Sequence, residues 1–120
     1  MTGIERDSGM GKVALSEEVI ATIAGVAATE CYGIVGMASR KMSDGLAELL
    51  GRENLARGVE VSLDDAEVSI TLNVVISYGT RIPEVARNVI EKVKYSVESS
   101  TGLKVCRVHV HVQGIRVSPR

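Results

Sequence analysis

Alternation of apolar and polar residues is strongest in the second half of the chain. Over residues 68–78 apolar side chains occupy every second position, a period typical of a β-strand with two different faces. A shorter alternation over residues 59–63 and a polar turn at residues 64–67 precede it, which predicts a β-hairpin. A third alternating run, residues 108–112, predicts the last strand, and Gly114 predicts a β-bulge near its end.

Helical spacing of apolar residues predicts two long helices. Ser16 is a good N-cap for the first, which we expect to continue to about Cys31. In the second, Pro83 suits the first turn and Gly102 the left-handed C-cap. The second helix carries an apolar stripe with charged residues around it, so that one side is predicted to face the core and the other to face water.

The first predicted helix is uncharged on both sides. The positions expected to contact the sheet are Val19, Ile20, Ile23, Val26 and Ala27. The other side consists of small residues, namely Ala21, Gly25, Ala28 and Thr29. A helix that is polar on neither face is normally covered on both. We therefore expect the small-residue face to contact either the second helix or a second subunit.

These elements predict an α+β fold with a small mixed β-sheet. The second hairpin strand, the second helix and the last strand form a β-α-β crossover, which makes the two strands parallel. The sheet thus combines a hairpin with a crossover, and the two main helices are predicted to pack on one face. The opposite face, which carries Thr71, Asn73, Ser77, His109 and His111, can stay in water.

The length of 120 residues fits one domain. We expect it to span residues 11–117, between a flexible N-terminal tail, residues 1–10, and a C-terminal tail, residues 118–120.

Residues 32–37, with two glycines, predict a turn. Residues 39–58 are the most polar part and hold a short amphipathic segment with Ser43 as its cap and an apolar stripe of Leu46, Leu49 and Leu50.

The leucine stripe has two interpretations. It packs over the core, or it is exposed and forms a docking patch at a partner or a membrane edge. Together with the small-residue face of the first helix it gives the candidate partner interface: Leu46, Leu49, Leu50, Ala21, Gly25 and Ala28.

Composition narrows the classes of function. The net charge is -1, which lacks the basic excess typical of DNA-binding proteins. Cys31 and Cys106 lie far apart and neither belongs to a C-x-x-C pair, so we expect two small buried side chains and no zinc or redox motif.

No basic and apolar leader begins the chain, which predicts a cytosolic protein. Residues 19–39 are apolar but contain Glu30 and three glycines, a pattern that favours a buried helix and a turn over a bilayer span.

Residues that could carry chemistry are few, and we expect neither an enzyme nor a bound cofactor. His109 and His111 are predicted on one side of a strand about 7 Å apart, but no third metal ligand is indicated. A small enzyme or metal protein built on this pair remains a minor hypothesis. Asp64 and Asp65 are adjacent in a predicted turn, where short acids bond their own backbone.

Residues 33–36 have the G-x-x-G spacing of a KH RNA-binding loop, in which a glycine loop between two helices clamps the nucleic-acid backbone. The two middle residues, Ile34 and Val35, carry no positive charge, which favours a simple turn. A KH-like RNA-binding module is nevertheless kept as the alternative function.

Several segments in order resemble the alkaline shock protein family with its YloU-like members. They are the runs at residues 11–13, 19–20, 24–28, 33–37, 58–61, 78–79 and 82–85, and above all residues 101–105 and 108–115, TGLKV and VHVHVQGI. The resemblance covers nearly the whole chain after the first ten residues.

The resemblance implies an intracellular protein, found mainly in Gram-positive bacteria and associated with alkaline and cell-envelope stress. Some members of the family are held at the membrane by a separate anchor protein, others are linked to fatty-acid metabolism, and no catalytic residues are assigned. We therefore expect a non-catalytic interaction protein or scaffold of the envelope stress response. It would associate with itself or dock to a membrane-anchored partner.

Overall fold

The computed structural model describes residues 3–7, 12–39, 49–65 and 67–117. The predicted α+β class is confirmed. In chain order the elements are β1 (Gly3–Asp7), β2 (Lys12–Ser16), α1 (Glu17–Thr29), β3 (Ile34–Met37), a 3-10 helix (Arg52–Gly58), β4 (Val59–Asp64), β5 (Glu67–Ser77), α2 (Ile82–Thr101) and β6 (Lys104–Arg116).

β5 is the central strand of a four-stranded mixed sheet. β6 runs parallel to it along one edge, while β4 and then β3 pair antiparallel along the other. The predicted hairpin is thus β4–β5, and the predicted crossover is β5–α2–β6. β6 contains two bulges, at Cys106 and at Gln113, the second immediately before Gly114, where a bulge was predicted. β1 and β2 form a separate antiparallel pair.

The core lies between one face of the sheet and the two long helices. The side chains of β5 that point to this face are fully buried, as are the apolar stripe of α2 and the inner residues of α1. They are Val68, Ile70, Leu72, Val74 and Ile76 from β5, Val89, Val93 and Val97 from α2, and Ile20 and Ala24 from α1. The expectation that both helices cover one face is confirmed.

The ends of the helices follow their predicted signals. The Ser16 side chain accepts a hydrogen bond from the backbone N–H of Val19 at 3.3 Å and so caps α1. Gly102 ends α2 in the left-handed conformation with φ 77°. No helix among the described residues is long and apolar enough to span a bilayer.

The opposite face of the sheet is less exposed to water than predicted, because Asn73 is buried, with 1% of its surface exposed. Its side-chain amide donates a hydrogen bond to the carbonyl of Gly58 at 3.1 Å, and its side-chain oxygen accepts one from Gln113 at 2.8 Å. A buried amide needs such partners. His109 and His111 on the same face are exposed, as expected.

The turn predicted at residues 32–37 is confirmed for residues 32–33 and wrong for residues 34–37, which form β3. The start of β3 is fixed by a hydrogen bond of 2.8 Å that the backbone N–H of Ser77 donates to the carbonyl of Gly33. Gly33 has φ 90°, and a Cβ there would lie 2.6 Å from a methyl carbon of Val85. Only glycine allows both this backbone and this close approach of α2.

Strand β1 was not predicted and lies within the range assigned to the N-terminal tail. The division into one domain and two tails stays a prediction. Ser43 and the predicted amphipathic segment up to residue 48 lie outside the described residues, which include only Leu49 and Leu50 of it.

Candidate interaction surfaces

Helix α1 is rotated relative to the sequence prediction. Val19 and Val26, expected to contact the sheet, are 45% and 42% exposed, whereas Ala21, Gly25 and Ala28 are buried. Small side chains allow the backbone of α1 to approach its neighbours closely, and the larger valines then point outward. Apolar size alone therefore gave the wrong orientation for these two valines.

On the small-residue face of α1, Gly25 is covered by Leu55 of the 3-10 helix. A Cβ on Gly25 would lie 3.2 Å from the Cβ of Leu55 and 3.3 Å from its carbonyl oxygen. This close approach leaves no space there for a second subunit. The assignment of Ala21, Gly25 and Ala28 to a partner interface stays a prediction, but a partner would first meet the residues on the outer side of the helix.

We call that outer side the α1 outer face and define it by Val19, Thr22, Ile23 and Val26. Ile23 is partly buried and the other three are exposed, and no charged residue occurs from position 19 to position 29. The outer side of α2, in contrast, is lined by exposed charged residues: Arg87, Glu91, Lys92 and Lys94. Val19 and Val26 are thus exposed apolar side chains with no charged residue between them along the helix, a pattern that favours an interaction surface.

The leucine stripe splits between surface and core. Leu49 is 40% exposed and forms a β-bridge with Ala38, while Leu50 packs partly buried against the core. The backbone N–H of Leu50 donates to the carbonyl of Met37 at 2.9 Å. Leu46 lies outside the described residues.

Leu50 also lines an open groove of about 660 Å³ next to α1. The apolar side chains around it are Val26, Val35, Leu50 and Leu55. Because Val26 belongs to both, the Leu50 groove continues the α1 outer face toward β3. The sequence placed the leucines in one candidate interface with Ala21, Gly25 and Ala28. In the structure Leu50 instead lies beside Val26, which was expected to contact the sheet.

The two histidines lie side by side on β6. The ring centroids of His109 and His111 are 4.6 Å apart, with the rings in an edge-to-face arrangement. Among the residues that the structure describes, no group of three histidine, cysteine or acidic side chains could hold a metal ion. Asp64 and Asp65 are exposed at the hairpin turn, where Asp65 has φ 57°.

The cysteines differ in their surroundings. Cys31 is partly buried, and its Sγ lies 3.6 Å from the carbonyl oxygen of Ala27. Burial raises the pKa of the Cys31 thiol, an effect that Lys92 opposes and Glu30 reinforces. A raised thiol pKa disfavours the reactive thiolate. Cys106 is exposed, so the prediction that both thiols are buried is wrong for it.

The G-x-x-G sequence does not form the geometry of a KH loop. α1 is followed by β3, and Gly36 pairs with Val75 inside the sheet. A loop between two helices, which that alternative requires, is therefore absent at residues 33–36.

Comparison with known proteins shows the family of this chain. Residues 5–117 match the model of the alkaline shock protein 23 family, which is described as having a cell envelope-related function. The chain is 49% identical over 116 residues to the uncharacterized protein YloU of Bacillus subtilis, covering 96% of this chain and 97% of YloU. The resemblance inferred from the sequence is thereby confirmed.

More distant relatives extend the comparison. The uncharacterized protein YqhY of Bacillus subtilis is 34% identical over 92% of this chain and 81% of its own length. A protein of Streptococcus pyogenes named stress response regulator gls24 homolog is 26% identical over 88% of this chain and 59% of its own length. No solved structure matches.

Proposed function

Because the chain belongs to the alkaline shock protein family, whose function is cell envelope-related, we propose that it is a non-catalytic interaction protein of the envelope stress response. It acts by associating with itself or by docking to a membrane-anchored partner. The α1 outer face and the adjoining Leu50 groove form the docking surface.

The observation that carries this proposal is the exposure of Val19 and Val26 on a stretch of α1 that carries no charge between Glu18 and Glu30. Burying apolar surface stabilises a complex by about 25 cal/mol for each Å² removed from water. A solvent-facing helix normally places charged residues at such positions. α2 of the same protein does so, which makes α1 the exception.

The polar groups of the described residues support a non-catalytic role. The buried Asn73 is engaged with Gly58 and Gln113, and burial disfavours the thiolate of Cys31. Catalysis requires polar groups that converge on a substrate with perturbed pKa values. The polar contacts seen here instead join one part of the fold to another.

The test is a pair of charge-introducing variants on α1, Val19→Glu and Val26→Glu, with Asn88→Glu as the matched control. Asn88 is exposed on α2, and its substitution adds the same charge to a helix of similar kind. The measurements are the protein's recovery in the membrane fraction of its host and its mass by light scattering at several concentrations.

We expect both α1 variants to lose recovery in the membrane fraction while Asn88→Glu behaves like the wild type. Their thermal unfolding should stay close to the wild type, since the substituted positions are at the surface. A wild-type protein that is strictly monomeric and absent from the membrane fraction would contradict the proposal.

A further inference from the structure

The mixed sheet ends in two strands with open outer edges. Within residues 3–7, 12–39, 49–65 and 67–117, β4 and β6 each pair with β5, and no further strand pairs with their outer sides. An open edge carries backbone N–H and C=O groups that can pair with another chain. Globular proteins usually shorten, bend or charge such edges to prevent this pairing.

The two edges carry opposite charge. β6 holds the cations Lys104, Arg107 and Arg116 and no acidic residue. β4 and its turn hold the acids Glu60, Asp64 and Asp65 and no lysine or arginine, while Arg57 lies just before the strand. Like edges therefore repel one another, whereas unlike edges attract.

The regular lengths of the two edges also match. The bulges at Cys106 and Gln113 leave residues 107–112 of β6 as a regular stretch of six. β4 (Val59–Asp64) is also six residues long. We propose that β4 of one copy of this chain pairs antiparallel with residues 107–112 of a second copy, with Val59 opposite Val112 and Asp64 opposite Arg107.

This register suits both faces of the joined sheet. On the helix-covered face it sets Val59, Val61 and Leu63 opposite Val112, Val110 and Val108. On the opposite face it sets Glu60, Ser62 and Asp64 opposite His111, His109 and Arg107. A shift by one residue would place apolar side chains against polar ones along the whole contact, so the side-chain pattern selects this register.

Exposure is consistent with an incoming strand at each edge. Val112 is 38% exposed on the helix-covered face, although it lies opposite the fully buried Val74 in the sheet. At the other edge an open groove of about 750 Å³ runs past β4, lined by Val59, Val61 and Ser62 together with Glu17 and Ala21 of α1. A paired strand needs a separation of about 4.8 Å from its neighbour.

Because the two edges differ, the contact is head-to-tail and repeats from one copy to the next. The result is a row of subunits with a continuous sheet. The proposed contact specifies how the chain associates with itself and rests on the self-association in the proposed function. The α1 outer face is not part of the contact and stays available to a different partner.

The test exchanges the charges at the proposed Asp64–Arg107 contact. Asp64→Lys and Arg107→Glu are each expected to weaken self-association by about tenfold, since an attractive cross-strand pair becomes repulsive. The double variant should recover association, because lysine then faces glutamate. Glu91→Lys and Arg87→Glu on α2 make the same charge changes at exposed positions and serve as matched controls.

Average mass by sedimentation, measured over a range of protein concentration and of salt, is the first readout. Amide hydrogen exchange at high and low concentration is the second, and added protection is expected within residues 59–64 and 107–112. Weakening by both single variants, recovery in the double variant and that protection support the proposal.

Two results would overturn the proposed β4–β6 contact, and they have different consequences for the proposed function. If self-association is unchanged in the edge variants but lost in Val26→Glu, then the β4–β6 contact is wrong and the α1 outer face is the site of self-association. A wild type that is monomeric at all concentrations removes self-association altogether and leaves only docking to a membrane-anchored partner.

Discussion

The orientation of α1 can be tested by comparing two valines in different helices. Val89 of α2 is fully buried, whereas Val26 of α1 is 42% exposed. Val89→Ala removes apolar groups worth about 0.8 kcal/mol for each buried carbon, and the remaining cavity adds to the loss. We expect the free energy of unfolding to fall by about 2–3 kcal/mol.

Val26→Ala should change stability by less than about 0.5 kcal/mol. Truncating a half-exposed valine removes little buried apolar surface, and alanine has a better helix propensity that offsets much of this loss. Urea unfolding followed by far-ultraviolet circular dichroism gives both values, provided that the slope against denaturant is unchanged. Low protein concentration is needed, because self-association would stabilise the folded state.

The result that refutes this reasoning is an equal loss at the two positions. Such a loss in the monomer would mean that Val26 is covered within the chain. The α1 outer face would then not be open to a partner, and the proposed function would lose the observation that carries it.

Three further predictions concern single sites. Asn73→Ala should lower the free energy of unfolding by about 1–3 kcal/mol, since it leaves buried polar groups without partners; a neutral effect in urea unfolding would show that water replaces the amide. Gly33→Ala should destabilise by more than about 1 kcal/mol because of its positive φ and the close Val85 methyl. Because Val85 is itself buried in the core, the part due to crowding should appear only as the coupling energy in a double-mutant cycle with Val85→Ala. Cys31 should be alkylated by iodoacetamide more slowly than the exposed Cys106 at mildly alkaline pH, since burial raises the pKa of the Cys31 thiol. Mass spectrometry of the peptides resolves the two rates, and equal rates would contradict this prediction.

Local signals in the sequence predicted most of the elements correctly. Ser16, Pro83 and Gly102 act through backbone geometry and nearby hydrogen bonds, which depend on a few consecutive residues. The alternation in β5 marks its buried face because side chains point to opposite sides at every step. These features do not require knowledge of distant parts of the chain.

Strand β3 shows where a prediction from neighbouring residues fails. Gly33 and Gly36 resemble a turn, but the free edge of β5 beyond the end of β4 offers backbone partners, and residues 34–37 pair with it. Pairing between segments far apart in the chain overrides a local turn preference, since strand propensity depends on context.

The sequence by itself determined the class of fold, the hairpin, the crossover and the family, because period, caps and ordered motifs are local properties. The partner interface on the small-residue face of α1 and the leucine stripe stays a prediction. Tertiary structure alone decided that Val26 faces outward while Gly25 meets Leu55. The physical reason is that packing selects the face that lets backbones approach most closely, which the hydrophobicity of single residues does not encode.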